Sequence, residues 1–244
     1  LMPAAHARRM LADRRSLTLS SSALALVLSC SLGADPAAAQ FICQQYGGST
    51  GGATASSFAL ACGDSATAGT GANALGYQAQ ANGNYASAVG FTARAPGDNA
   101  SAIGSYARAE GGNSTAIGSA TSATGSDATA IGSATEARGT NATAIGATAQ
   151  ALTTNTTAVG AAALADGTNA TALGGSAQAR GDNSAALGRT ARAIGQSATA
   201  VGALARANAD FTTAVGGDAQ ATGIGATAAG SGAQAAGENA SAFG

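Results

Sequence analysis

The sequence predicts an all-β chain, a parallel β-roll built from stacked coils, and three observations predict it. Glycine recurs every fourteen residues without an insertion, from Gly76 through Gly90, Gly104, Gly118, Gly132, Gly146, Gly160, Gly174, Gly188, Gly202, Gly216 and Gly230 to Gly244. Each is preceded by an alanine and one further residue, mostly Ile, Val or Leu, as in the hexapeptides DATAIG, NATAIG, NTTAVG and NATALG that begin at Asp127, Asn141, Asn155 and Asn169. Only 9% of the 244 residues are charged and 4% aromatic, with no Trp, so an ordinary core anchored on aromatic side chains is excluded. A short fixed period is the mark of a solenoid, and this composition demands a narrow interior.

Residues 1–39 read as a secretory signal peptide. Arg8, Arg9, Arg14 and Arg15 precede an apolar run from Leu17 to Leu32, and Ala37, Ala38 and Ala39 offer a small-residue cleavage site before Gln40. The run is shorter than the roughly 20 residues of a spanning helix, so no membrane insertion is expected of this chain. A lipoprotein site at Ser29-Cys30 and a twin-arginine signal at Arg14-Arg15 are the alternatives.

Cleavage there removes His6, the sole histidine, together with Met2, Met10 and Cys30. The remainder holds seven arginines against ten acids and no lysine, which leaves no basic surface for nucleic acid. Without histidine, a free thiol or a paired acid there is no catalytic or metal site to name, and no cofactor is expected. Residues 40–62 read as an N-terminal cap with a candidate disulfide between Cys43 and Cys62, an even number in an exported chain. Such a loop stabilises by about 3 kcal/mol on the chain-entropy account; unpaired thiols or inter-chain bonds are the alternative.

From residue 63 to 244 the repeat is legible coil by coil, taking the framework glycine as position 0. A second glycine usually stands at position 7 (Gly83, Gly97, Gly111, Gly125, Gly139, Gly167, Gly181, Gly195, Gly223 and Gly237), with Thr153 and Ala209 as exceptions. Each coil therefore has two turns, here Gly104, Gly118, Gly132, Gly146 and Gly160 and their half-period partners, where glycine would accept positive φ. The asparagines two residues on (Asn99, Asn113, Asn141, Asn155, Asn169, Asn183 and Asn239) would cap the turn with their side chains. Between the turns lie two segments of about five residues, the usual strand length.

Alternation gives each segment two faces. In the second segment positions 3 and 5 are almost all alanine, while positions 2 and 4 vary and are often polar, as at Gln78, Arg94, Tyr106, Arg108, Glu136, Gln178 and Arg206. Arg94 and Arg108 read as part of a solvated face. In the first segment positions 10 and 12 are small, and Ala102, Ala116, Ala130, Ala144 and Ala158 are assigned to the interior. Positions 11 and 13 pair Thr with Val89, Ile103, Ile117, Ile131, Ile145, Val159, Leu173, Leu187, Val201 and Val215. Both faces of that strand are apolar. A continuous apolar stripe of this length marks an interface, and burial is worth about 1.5–3 kcal/mol per Ile, Val or Leu. The expected cover is further copies of the chain.

The pattern N-[SAT]-[TS]-A-[IVL]-G-x-x-A-x-A-x-G, whole at Asn99 to Gly111 and nearly whole at Asn113, Asn141, Asn169 and Asn183, resembles the head repeat of YadA-like trimeric autotransporter adhesins. The resemblance spans about residues 63–244. It implies a left-handed roll, a homotrimer packed along the apolar strand, and a non-enzymatic adhesin head that binds an extracellular matrix protein or another cell-surface ligand. It also implies a neck, a coiled-coil stalk and a C-terminal β-barrel anchor in the full protein. With that anchor the location is the outer membrane surface of a Gram-negative bacterium; without it the chain is secreted. The start at Leu1 and the end at Gly244, inside the repeat pattern, suggest a fragment. Thr at position 11, where the family often has Val, makes the stripe more polar: Thr115, Thr129, Thr143, Thr157, Thr171 and Thr199. The Thr ladder also allows an ice-binding or purely structural solenoid.

If the alanines fill the roll, Ala144→Leu overpacks it and lowers the melting temperature by the equivalent of about 1–3 kcal/mol or more. Gln150→Ala, on the outside, leaves thermal unfolding by circular dichroism unchanged.

Overall fold

The computed structural model describes residues 41–43 and 51–244, so the expected signal peptide at 1–39 lies outside the described residues. The chain winds as a parallel β-solenoid of about fourteen-residue turns. One sheet has 15 strands and runs from Phe41–Ile42 to Ser241–Phe243. The other face of the roll is divided into a 3-stranded sheet that ends at Gln80–Ala81 and a 10-stranded sheet that starts at Arg108–Ala109. The strands are shorter than the segments suggested by the sequence: three residues on the first face, as in Thr115–Ile117, and two on the second, as in Ser122–Ala123. The corners take up the rest of each coil.

Register is in phase throughout. Thr115, Ala116 and Ile117 stand beside Thr129, Ala130 and Ile131, and on the second face Ser122 and Ala123 stand beside Glu136 and Ala137. The break in the second face sits at Pro96. In regular coils position 6 donates to the next coil, as Glu110 N–H does to Ala123 O and Arg138 N–H to Ala151 O, both at 2.8 Å. Proline has no N–H to give. Single bridges from Gln80 to Arg94 and from Arg94 to Arg108 carry the ladder across.

The interior is a double file of alanines. Ala102, Ala116, Ala130, Ala144 and Ala158 are fully buried, as are Ala107, Ala109, Ala123 and Ala137 from the opposite sheet. Hydroxyl residues occupy a few of these places and are bonded to corner carbonyls: Ser114 Oγ to Gly111 O and Thr135 Oγ1 to Gly146 O at 2.6 Å, and Thr121 Oγ1 to Gly132 O. Thr156 and Thr212 stand in the two coils that lack the half-period glycine, three residues after its place, and their hydroxyls bond Thr153 O and Ala209 O at 2.6 and 2.5 Å. Ser184 Oγ is buried without a partner.

The two corners are alike. Ala107 N–H donates to Gly104 O and Ser114 N–H to Gly111 O, each at 3.3 Å, and the third residue of each turn is left-handed: Tyr106 at φ 58° and Asn113 at φ 55°. This corrects the expected use of glycine. Gly104, Gly118, Gly132, Gly146 and Gly160 do have positive φ, between 126° and 138°. The half-period glycines, by contrast, do not need it. They are glycine because coils stack there backbone to backbone: a Cβ on Gly97 would collide with the carbonyl of Gly111, and one on Gly181 with that of Gly195. The asparagines do not cap the turn from outside; they are its left-handed residue, a conformation Asn tolerates better than most side chains.

The roll also begins earlier than residue 63. Thr54–Ala55 pairs with Thr67–Ala68, and Leu60–Cys62 pairs in parallel with Asn73–Leu75. Cys62 stands beside Leu75, a step of thirteen, which hides this coil from a strict fourteen-residue count. Phe41 and Ile42 stand beside Leu60 and Ala61, and Cys43 is bonded to Cys62 with their Cα atoms 4.7 Å apart.

Gly97→Ala is expected to destabilise by more than 1 kcal/mol, since the obstacle is backbone. Ala134→Gly, at an exposed residue with φ 53°, is expected to stabilise by up to about 1 kcal/mol. Urea titration of both variants checks the pair.

Candidate functional site

Four surfaces bound this roll: the outer face of the long sheet, the outer face of the second sheet, and the two corner edges. On the long sheet, side chains at positions 11 and 13 point away from the alanine file. Val89, Ile103, Ile117, Ile131, Ile145, Val159, Leu173, Leu187, Val201 and Val215 follow one another in strict parallel register. Ile103 is 43% exposed and Leu173 48%, high values for branched apolar side chains in a rigid strand. The stripe is longer than the ten positions singled out above. Leu75 precedes Val89 in the same register, and Ala229 and Phe243 follow Val215, with Phe243 exposed. All three occupy position 13 of the frame, which was the available signal.

Beside the stripe runs a ladder of half-buried Thr115, Thr129, Thr143, Thr157 and Thr171. No side-chain hydrogen bond ties these hydroxyls to another residue among those described. The face is therefore apolar but carries evenly spaced polar groups.

The corner edge that holds the asparagines is a second regular array. Asn99 donates to Asn113 and Asn113 to Asp127, at 3.3 and 3.0 Å; Asn141 donates to Asn155, Asn155 to Asn169 and Asn169 to Asn183, at 3.1, 3.0 and 3.1 Å. Asp127 has no N–H to pass on, so the first run stops there and the second starts one coil later. Aspartates one residue earlier bind the coil before them: Asp98, Asp182 and Asp210 accept from the backbone N–H of Asn84, Thr168 and Gln196. These carboxylates are structural.

On the opposite corner Tyr77 stacks on Phe91 with ring centroids 5.2 Å apart, and Phe91 meets Tyr106 edge-on at 5.4 Å. Tyr85 is exposed on the other edge of these coils, and Phe58 in a corner of an earlier coil. The aromatic residues are thus concentrated at the N-terminal end, a grouping that sequence periodicity did not single out.

Charges on the second face occur in two styles. Arg108 pairs with Glu110, and Arg138 Nε lies 2.6 Å from Glu136 Oε1. Arg94, Arg180, Arg189, Arg192 and Arg206 make no ion pair among the described residues. Among those residues no three His, Cys, Asp or Glu side chains converge to hold a metal ion, and no helix is long and apolar enough to cross a membrane.

Comparison with known proteins places the repeat. The family model for a YadA head domain repeat, which contains two copies of the unit, matches residues 68–93, 81–107, 109–135, 137–163, 165–191, 193–219 and 221–244. Among solved structures, the crystal structure of the collagen-binding domain of the Yersinia adhesin YadA matches at 27% identity, over 56% of this chain and 69% of that one, with a TM-score of 0.42. None of the curated proteins matches.

Asn155 both accepts and donates in its ladder, at 3.1 and 3.0 Å. Asn155→Ala is expected to destabilise by about 1–2 kcal/mol, with Asn155→Gly in between because glycine relieves the left-handed backbone. An unchanged denaturation midpoint for the alanine variant would remove the ladder from the stabilising interactions.

Proposed function

The chain belongs to the YadA head family, and on that premise we propose that it is the non-enzymatic head of an adhesin that works as a homotrimer. The observation that carries the reading is the in-register stripe from Leu75 to Val215. A soluble roll gains nothing by displaying so many branched apolar residues in one line, whereas burial against two sister chains is worth about 1.5–3 kcal/mol for each. Such an assembly leaves the second sheet and both corner edges free. Those surfaces then face a ligand three times over, and repeated weak contacts add through avidity. The ligand class to assay first is an extracellular matrix protein or another cell-surface molecule. Export through residues 1–39 brings the head to that location, on the outer surface when a membrane anchor follows and in the medium otherwise.

The threonine ladder favours one other reading, an ice-binding face with hydroxyls at coil spacing. It shares its strand with bulky Ile and Leu, which speaks for burial against protein.

Sedimentation equilibrium on residues 40–244 tests the proposal, with a trimeric mass expected. Ile117→Glu combined with Ile131→Glu, both on the stripe, is expected to give a folded monomer. A wild-type chain that sediments as a monomer would overturn the trimer and move thermal hysteresis to the front.

A further inference from the structure

The unpaired arginines of the second face form a group. Between Gly174 and Val215 the chain carries Arg180, Arg189, Arg192 and Arg206, against Asp182 and Asp210. Those two carboxylates are turned to the far corner, where each accepts a backbone N–H of the preceding coil at 2.7–2.8 Å. Arg192 and Arg206 are direct neighbours in register on the outward side of adjacent coils, about 4.8 Å apart along the roll. Arg180 lies on the same face one coil earlier, where its backbone N–H bonds Ala193 O. Arg189 stands exposed in the turn that leads into the Arg192 strand.

Like charges directly opposite one another across a ladder are destabilising. Elsewhere on this face Arg108, which stands in register beside Arg94, is offset by Glu110 two residues away, and Arg138 by Glu136. At the equivalent places beside Arg192 and Arg206 stand Ile194 and Asn208. The acid on the coil before Arg180, Asp166, makes no ion pair with it. Arg192 adds a further sign: its Nε is buried and has no hydrogen-bond partner, an unsatisfied donor inside a cationic row.

We propose that this row is a binding site for a linear sulfated polysaccharide. Guanidinium groups present planar pairs of donors that match the oxygens of a sulfate ester. A chain with anions at regular intervals, laid along the roll axis, meets Arg192 and Arg206 in register and reaches Arg180 two residues further along the strand beside Gln178 on the coil before. Between Gly174 and Val215 the one aromatic side chain, exposed Phe211, sits in the corner next to Asp210 and not on the outward strand positions of this face, so a nucleotide base has no stacking platform beside the arginines. The inference rests on the adhesive reading for its purpose, and it names a ligand class for the face which that reading leaves free.

Binding of heparin to the whole protein, measured by surface plasmon resonance at low and high salt, tests it. Wild type is expected to bind, with affinity falling steeply as salt rises. Arg180→Gln combined with Arg192→Gln and Arg206→Gln is expected to weaken binding at least tenfold at unchanged sedimentation mass, and Arg108→Gln by less than twofold. If the half-buried Arg192 proves necessary for folding, the exposed pair Arg180→Gln with Arg206→Gln decides, with at least a threefold loss expected. Unchanged binding in the variants, equal binding of desulfated heparin, or equal binding of duplex DNA through the same arginines would each overturn the proposal. Retention of the trimeric mass with loss of heparin binding separates this site from the trimer; a monomeric wild type that still binds heparin through these arginines sinks the trimer alone.

Discussion

Everything in this fold follows from the distance between its two sheets, which is set by alanine methyl groups meeting alanine methyl groups. Ala102, Ala116, Ala130 and Ala144 from one sheet and Ala107, Ala109, Ala123 and Ala137 from the other leave no accessible surface between them. A layer that thin cannot supply the apolar area of an ordinary core, so each coil contributes little on its own. The stability of the roll accumulates by stacking, coil on coil, through backbone hydrogen bonds and nearest-neighbour packing. Larger hydrophobic side chains have no place inside. They go to the outer face of the long sheet, and the need to cover them there connects the narrow interior to the proposed trimer.

The same thinness dictates the corners. A chain that reverses within three residues around a single layer of methyl groups brings successive corners into backbone contact. A Cβ on Gly160 would lie 2.5 Å from the Gly174 carbonyl oxygen, and most framework glycines meet the next coil in the same way. Once the glycines permit that approach, the corner residues are held in ladders, as in Asn113 N–H to Asp98 O and Ala120 N–H to Ser105 O, both at 2.8 Å. Those ladders hold even Thr148 and Thr190 in a left-handed conformation that β-branched residues rarely adopt.

Much of this was legible because the period is strict. Register, the alanine interior and the Ile, Val and Leu line can each be read from spacing alone, since a fourteen-residue step returns every side chain to the same face. What escaped is what spacing does not encode. Gly97 and Gly104 look equivalent in sequence, and a Cβ on either would meet a carbonyl of the next coil, yet only Gly104 has positive φ as well. The coil between Cys62 and Leu75 escaped because it is one residue short. The Asn ladder could not be foreseen as inter-coil bonding, since an asparagine in a turn satisfies a local and a stacked partner with the same side chain.

In so regular an object, specificity has to come from the departures. The repeat by itself makes every coil the same, and a ligand that recognised the repeat would slide along it without preference. The places where this chain breaks its own pattern are few and localised: the rings of Tyr77, Phe91 and Tyr106 at one end, Pro96 within the ladder, and the arginines from Arg180 to Arg206 toward the other. None of them belongs to the alanine file. A fold that separates its structural residues from its outer ones this cleanly can acquire a binding site by single substitutions on the second face. Arg192 and Arg206, in register with no glutamate beside them, carry the proposed site on this reasoning, since charge kept there costs the sheet.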